Sequence, residues 1–175
     1  MSRVSEEQIA QWDLIDPLAD KRQLFKLPEK GVYLDGNSLG PMPFSAAERA
    51  KEVLEHQWAS DLITSWNKHG WIDLPTTVGE KIAPLIGAGP GQVICCDSTS
   101  INLFKVLNSA LSLQTSRSVV LSLAGNFPTD LYMVEGVASL LGEDACHLNL
   151  VCEDELEEAL TSEVAVLMLT QVDFR

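Results

Sequence analysis

Ser118-Val-Val-Leu-Ser-Leu-Ala-Gly-Asn-Phe-Pro-Thr-Asp-Leu-Tyr132 decides the fold. Its first six residues are mostly apolar and open with two valines, which predicts a buried strand over 118–123. Ala124 to Pro128 carries glycine, asparagine and proline and reads as a loop, and a helix is expected over 129–141. The same alternation recurs on both sides. Upstream, 93–96 reads as a short strand, and Asp97-Ser-Thr-Ser100 offers several N-caps for a helix over 100–114. Downstream, 147–151 reads as a strand, 153–160 as a helix and 164–170 as a further strand. Strands separated by helices imply an α/β domain whose mainly parallel sheet carries flanking helices.

The region before this alternation has a different character. Ser5 followed by Glu6, Glu7 and Gln8 starts a polar helix that Asp16-Pro17 interrupts, with Trp12, Ile15 and Leu18 as its apolar side. Gly31 to Pro43 is dense in glycine and proline, so it is read as a short strand over 32–34 leading into a shaped loop. Residues 1–43 are therefore taken as an N-terminal helix and site loop, and 44–175 as the first part of a larger domain. Ser45-Ala-Ala-Glu48 has the pattern of a capping box for a helix running to about Ser60. Residues 61–74 are tryptophan-rich and expected to be irregular. Thr77-Val-Gly-Glu80 suggests a second capped helix, ending at Ile86-Gly87.

Charge narrows the function. A net charge of −13 disfavours nucleic acid and anionic membrane surfaces as partners. It does not disfavour a small anion, which a helix N-terminus binds through backbone N–H groups. No apolar stretch approaches the roughly 20 residues of a membrane span, and the N-terminus lacks an apolar leader segment. A soluble cytoplasmic protein is expected. Cys95, Cys96, Cys146 and Cys152 have no zinc-type spacing and read as reduced, buried thiols. No metal site is expected.

Three stretches carry candidate chemistry. Asp97-Ser-Thr-Ser-Ile-Asn102 places Thr99 and Ser100 at a strand-to-helix junction, suited to a phosphate or to ordinary capping. Ala124-Gly-Asn-Phe-Pro-Thr-Asp130 follows the next strand at its carboxyl end, where ligands gather in open α/β sheets. Phe127 there is suited to stacking on a ring and Asp130 to facing a ring nitrogen, although taken alone a core position for Phe127 and capping by Thr129 or Asp130 is the better reading. Asp35-Gly-Asn-Ser-Leu-Gly40 exposes an amide and a hydroxyl.

Taken together, Tyr33-Leu-Asp-Gly-Asn-Ser-Leu-Gly-Pro-Met-Pro43, Ser65-Trp-Asn-Lys-His-Gly-Trp71, Ser98-Thr-Ser-Ile-Asn-Leu103 and Asn126-Phe-Pro-Thr-Asp-Leu-Tyr132 resemble the bacterial kynureninase family in order and spacing. The resemblance implies a fold-type-I pyridoxal-phosphate (PLP) enzyme, with an aspartate aminotransferase-like large domain of which this chain holds the first part. It implies a homodimer that hydrolyses L-kynurenine, or 3-hydroxykynurenine, to an anthranilate and L-alanine in tryptophan catabolism. By the same resemblance, Thr99 and Ser100 contact the cofactor phosphate. Phe127 stacks on the pyridine ring with Pro128, Thr129 and Asp130 beside it, Asp130 towards the ring nitrogen, and Thr170 is a further cofactor contact. Ser38 and Trp66 line the substrate pocket.

The lysines are Lys21, Lys26, Lys30, Lys51, Lys68, Lys81 and Lys105, and none lies in the family's cofactor-lysine motif. The 175-residue chain alone is therefore expected not to turn over kynurenine. The competing readings are a related PLP enzyme, such as a cysteine desulfurase or an aminotransferase, and a non-catalytic half-domain acting as an interaction module.

Overall fold

A computed structural model describes residues 4–173. The chain divides into two compact units, the first ending at Leu74 and the second beginning at Pro75.

The first unit is helical. Its opening helix, α1 (Glu6–Ile15), has the expected start: Ser5 Oγ accepts from the Gln8 N–H and Gln8 Oε1 accepts from the Ser5 N–H. This reciprocal pair satisfies two backbone donors at once. Trp12, Ile15 and Leu18 are all exposed, so the apolar side of α1 is not buried within the chain. A two-residue antiparallel ribbon pairs β1 (Phe25–Lys26) with β2 (Met42–Pro43). The strand expected over 32–34 does not form; Tyr33 instead sends its hydroxyl to the Leu39 carbonyl, 2.7 Å away, and closes the glycine-rich loop.

Helix α2 (Phe44–Glu52) starts before the expected capping box. Pro43 occupies the N-cap, so Ser45 lies inside the helix and makes no cap hydrogen bond. The helical path continues as one π-helical turn over Val53–Trp58 and then α3 (Ala59–Asp61). Short turns follow over Leu62–Thr64, α4 (Ser65–Lys68) and Trp71–Asp73, where irregular chain was expected. Among the described residues of this unit, the only buried side chains are Gln57 and Ser65, both polar.

Helix α5 (Leu74–Ile82) starts three residues before its expected capping box, and all of it but Leu74 belongs to the second unit. Glu80 does not cap the helix; its Oε1 accepts from the Gly91 N–H at 2.6 Å. Gly87 ends the following turn with φ +73°, the left-handed conformation that glycine adopts without a Cβ penalty. The strand expected over 93–96 is also absent. A strand requires a ladder partner, whereas here the Cys95 N–H donates to the Pro75 carbonyl at 3.0 Å. The segment lies against α5 so closely that a Cβ on Gly79 would sit 2.1 Å from the Val93 carbonyl oxygen.

From there the alternation holds. Helix α6 (Thr99–Leu113) leads to β3 (Val119–Leu123), α7 (Pro128–Leu141), β4 (His147–Val151), α8 (Leu156–Ala159) and β5 (Val164–Met168). The strand order is β4-β3-β5, and both pairings are parallel. The central strand β3 is the most enclosed, with Val120, Leu121 and Ser122 fully buried. Leu107 and Leu111 of α6, Val134 and Val137 of α7, Val120, Cys146 and Met168 form one core. Burying a Leu or Val side chain contributes about 1.5–3 kcal/mol, so this cluster holds the helices to the sheet. A parallel sheet with flanking helices and a separate antiparallel ribbon matches the fold-type-I architecture.

All four cysteines are free, and the expectation that they are buried holds for Cys146 alone. Burial pushes the Cys146 thiol up from its ordinary range, because the thiolate would lose solvation. Cys95 and Cys152 are exposed. No helix among the described residues is long and apolar enough to cross a membrane.

Candidate functional site

The three parallel strands end at one cavity of about 390 Å³. Ala124 to Phe127 wall it after β3, Val151 to Glu153 at the end of β4, and Thr170 to Asp173 after β5. Its size lies in the ordinary range for small-molecule sites, and its position at the carboxyl edge is where open α/β sheets bind ligands.

Asn126 organises this edge. It is only 8% exposed, yet both its amide nitrogen and its amide oxygen are hydrogen-bonded. Nδ2 donates to Ser122 Oγ at 2.9 Å, and that hydroxyl donates in turn to the Met168 carbonyl at 2.8 Å. Oδ1 accepts from the Phe127 N–H at 2.7 Å and from the Thr170 hydroxyl at 2.6 Å. One side chain therefore ties the end of β3 to the segment after β5 and fixes the residue that precedes α7. Neither Asn126 nor Ser122 was singled out in the sequence. The available signal was a serine inside an apolar strand, because a buried hydroxyl requires a partner.

Phe127 is the N-cap of α7 and remains 43% exposed on the cavity wall. Pro128 occupies the first helical position, where its missing N–H is not needed. Thr129 is exposed in the same turn, and Asp130, the next residue, favours the positive end of the helix dipole. One Asp130 carboxylate oxygen lies 3.4 Å from the Thr170 hydroxyl. Asp130 and Thr170 thus meet at the carboxyl edge of the sheet, with Phe127 on the cavity wall.

Thr99 and Ser100 begin α6 and are not among the residues lining the cavity. Ser98 Oγ accepts from the Ile101 N–H at 3.4 Å, which leaves the first-turn N–H groups of Thr99 and Ser100 directed out of the helix end. The approach to this turn is shaped by two contacts. Asn102 Nδ2 donates to the Cys96 carbonyl at 2.7 Å, and Asp97, at φ +54°, pairs with Lys105. The Lys105 ammonium holds the Asp97 carboxyl below its usual range, and Asp97 raises Lys105 in turn.

In the first unit, Ser38 is exposed in the loop that Tyr33 closes, its N–H donating to the Asp35 carbonyl at 3.2 Å. Trp66 is 48% exposed and meets Trp71 edge-on, with ring centroids 6.3 Å apart. Beneath this pair lies a second buried amide. Gln57 Oε1 accepts from the Trp71 indole N–H at 2.7 Å, and Gln57 Nε2 donates to Glu52. The Gln57 carbonyl accepts the Ser65 hydroxyl at 2.8 Å. Asp61 accepts from Lys68 and His69, both at 2.7 Å, and the Lys68 contact, followed by that of His69, lowers its carboxyl below the usual value.

Parallel strands that end at a cavity walled by an aromatic ring and a hydroxyl form the kind of carboxyl edge at which open α/β sheets bind small molecules. Sequence comparison finds similarity to kynureninases. The chain is 48% identical over 168 residues to a kynureninase of Pseudomonas fluorescens, covering 93% of this chain and 40% of that protein. It is 45% identical over 178 aligned positions to one from Burkholderia pseudomallei (99% and 42%) and 44% identical over 173 to one from Deinococcus radiodurans (96% and 42%). The chain thus matches kynureninases over nearly its whole length and spans about two-fifths of the length of these relatives. No protein-family model matches it.

Proposed function

We propose that this chain is part of a kynureninase, a PLP-dependent hydrolase that converts L-kynurenine to anthranilate and L-alanine in tryptophan catabolism. The observation that carries this reading is the similarity to kynureninases, joined to the meeting of Phe127, Asp130 and Thr170 at the carboxyl edge of the sheet.

The residues at the cavity suit the ring of such a cofactor, and the start of α6 separately suits a phosphate. Phe127 offers an exposed aromatic face on the cavity wall, and Asp130 offers a carboxylate beside Thr170. When bound, the cofactor supplies an electron sink for the pair released at the substrate carbons. Phe127, with Pro128 and Thr129 holding its turn, fixes the plane of the ring and keeps water off one face. Asp130 would accept a charge-assisted hydrogen bond from the protonated ring nitrogen, which would favour the cationic ring. Thr170 adds a hydroxyl at the same edge. Thr99 and Ser100 bind the phosphate through the N–H groups and hydroxyls at the start of α6, where the helix dipole favours an anion. Ser38 and Trp66 are assigned to the substrate. The same reading takes the enzyme as a cytosolic homodimer.

None of the residues lining the cavity is a lysine. Lys68 and Lys105 are engaged by Asp61 and Asp97. The chain alone is therefore assigned non-covalent cofactor binding without turnover. Incubation with PLP, borohydride reduction and peptide mass analysis test this. The expected result is bound PLP that dialyses away, no stoichiometric pyridoxyl label on any lysine, and no anthranilate from kynurenine. Absence of PLP binding would remove the cofactor reading, and anthranilate at a useful rate would show that these residues suffice.

A further inference from the structure

The geometry points to Asn126 as a positioning residue that draws the Thr170 hydroxyl proton away from Asp130. Asp130 then keeps both carboxylate oxygens as acceptors for a protonated ring nitrogen, a consequence that rests on the proposed cofactor reading.

Thr170 has one hydroxyl proton and two acceptors within reach. Asn126 Oδ1 lies 2.6 Å away and Asp130 Oδ2 lies 3.4 Å away. An ionised carboxylate is ordinarily the stronger acceptor, so the nearer amide wins only because it is held in place. Two contacts hold it. Ser122 Oγ has given its proton to the Met168 carbonyl and must accept from Asn126 Nδ2. The Phe127 N–H points at Oδ1. Flipping the amide would set its NH₂ against the Phe127 N–H and remove the donor to Ser122. Aspartate at this position would lose that donor as well, and would place a second carboxylate near Asp130. Asparagine satisfies all three partners at once.

Loss of the amide oxygen frees the Thr170 hydroxyl to turn to Asp130. A hydrogen bond to the carboxylate favours its charged form and occupies an acceptor that the ring nitrogen would otherwise use. Glu153 after β4 and Asp173 after β5 are the other carboxylates at this cavity, and both are retained in every variant below.

The test is a carbon-detected NMR titration of the Asp130 carboxyl in this chain as wild type, Asn126→Ala, Thr170→Val and the double variant, with PLP affinity measured on each. Thr170→Val is nearly isosteric and is expected to leave the Asp130 titration in place, because its proton is already spent on Asn126. Asn126→Ala is expected to lower the midpoint by about one pH unit, and the double variant to restore it. PLP is expected to bind about tenfold more weakly to Asn126→Ala than to wild type. Its preference over the 1-deaza analogue, which lacks the ring nitrogen, is expected to shrink in Asn126→Ala and recover in the double variant. A rise of the Asp130 midpoint in Thr170→Val would show that Thr170 already donates to Asp130, and would overturn the proposal. A wild-type chain that shows the expected titrations but no PLP affinity would overturn the cofactor reading and leave the steering by Asn126 standing.

Discussion

Gln57 and Asn126 are both buried amides beneath an exposed aromatic, but they stand on different foundations. Asn126 sits at the rim of a continuous apolar core running through α6, α7 and the three parallel strands. Gln57 sits in a unit whose described apolar side chains all retain solvent contact, and its companion in burial is Ser65. In the second unit the hydrophobic effect sets the fold, and the polar network aims a few side chains. In the first, hydrogen bonds from Gln57 and Ser65 hold the turns themselves, while Leu14, Ile15, Val32 and Leu34 remain exposed. Polar contacts contribute only about 0.5–1.5 kcal/mol each, so the first unit is expected to be the softer of the two.

This contrast can be broken by substitution, and the tryptophans make it readable. Trp12, Trp58, Trp66 and Trp71 all lie in the first unit, so their fluorescence reports that unit alone. The largest effect is expected for Leu107→Ala, which opens a cavity at the centre of the second unit's core. Such truncations cost about 2–5 kcal/mol, to be read from the far-ultraviolet circular dichroism of urea unfolding. Gly79→Ala comes next. Its Cβ would meet the Val93 carbonyl oxygen at 2.1 Å and the Val93 carbonyl carbon at 2.7 Å, both backbone atoms that cannot rotate away. Overpacking of this kind costs about 1–3 kcal/mol, and a neutral result would show that the segment after α5 moves freely.

Gln57→Ala is expected to act on the first unit. It leaves the Trp71 indole N–H without its acceptor and costs about 1–3 kcal/mol, measured by tryptophan fluorescence during unfolding. A larger loss than for Leu107→Ala would reverse the comparison. The smallest effect concerns acid. Lys68 and then His69 lower the folded-state pKa of Asp61, so its contribution is present above the unfolded-state value. It is lost as pH falls through the depressed folded value. Asp61→Asn is expected to flatten that part of the acid dependence of tryptophan fluorescence.

The second unit was the more legible in sequence, for the same physical reason. Strand β4 and helices α6 and α7 lie within one residue of their expected bounds, because apolar periodicity and burial coincide there. The segment 93–96 failed because an apolar run specifies burial and leaves the ladder partner undetermined; Cys95 bonds to Pro75 instead. The capping boxes at Ser45 and Thr77 failed because α2 and α5 start earlier, under Pro43 and at Leu74. Phe127 and Asp130 were proposed from residue type and Thr170 from resemblance alone, whereas the hydrogen bonds of Asn126 required the geometry of three elements at once. Gln57 fits the helical spacing of its segment, but that spacing does not mark it as a buried amide; its carbonyl reaches Ser65 through a π-helical turn, a feature common at functional sites.

We propose that the second unit carries the ring-and-phosphate half of a PLP site. Induced circular dichroism in the visible band of PLP, titrated into this chain and into Phe127→Ala and Asp130→Asn, is the most direct test. A saturable induced band is expected in the wild type, lost or weakened at least tenfold in each variant, with the far-ultraviolet spectrum unchanged. A wild-type chain without an induced band, or variants that bind PLP as well as the wild type does, would contradict it.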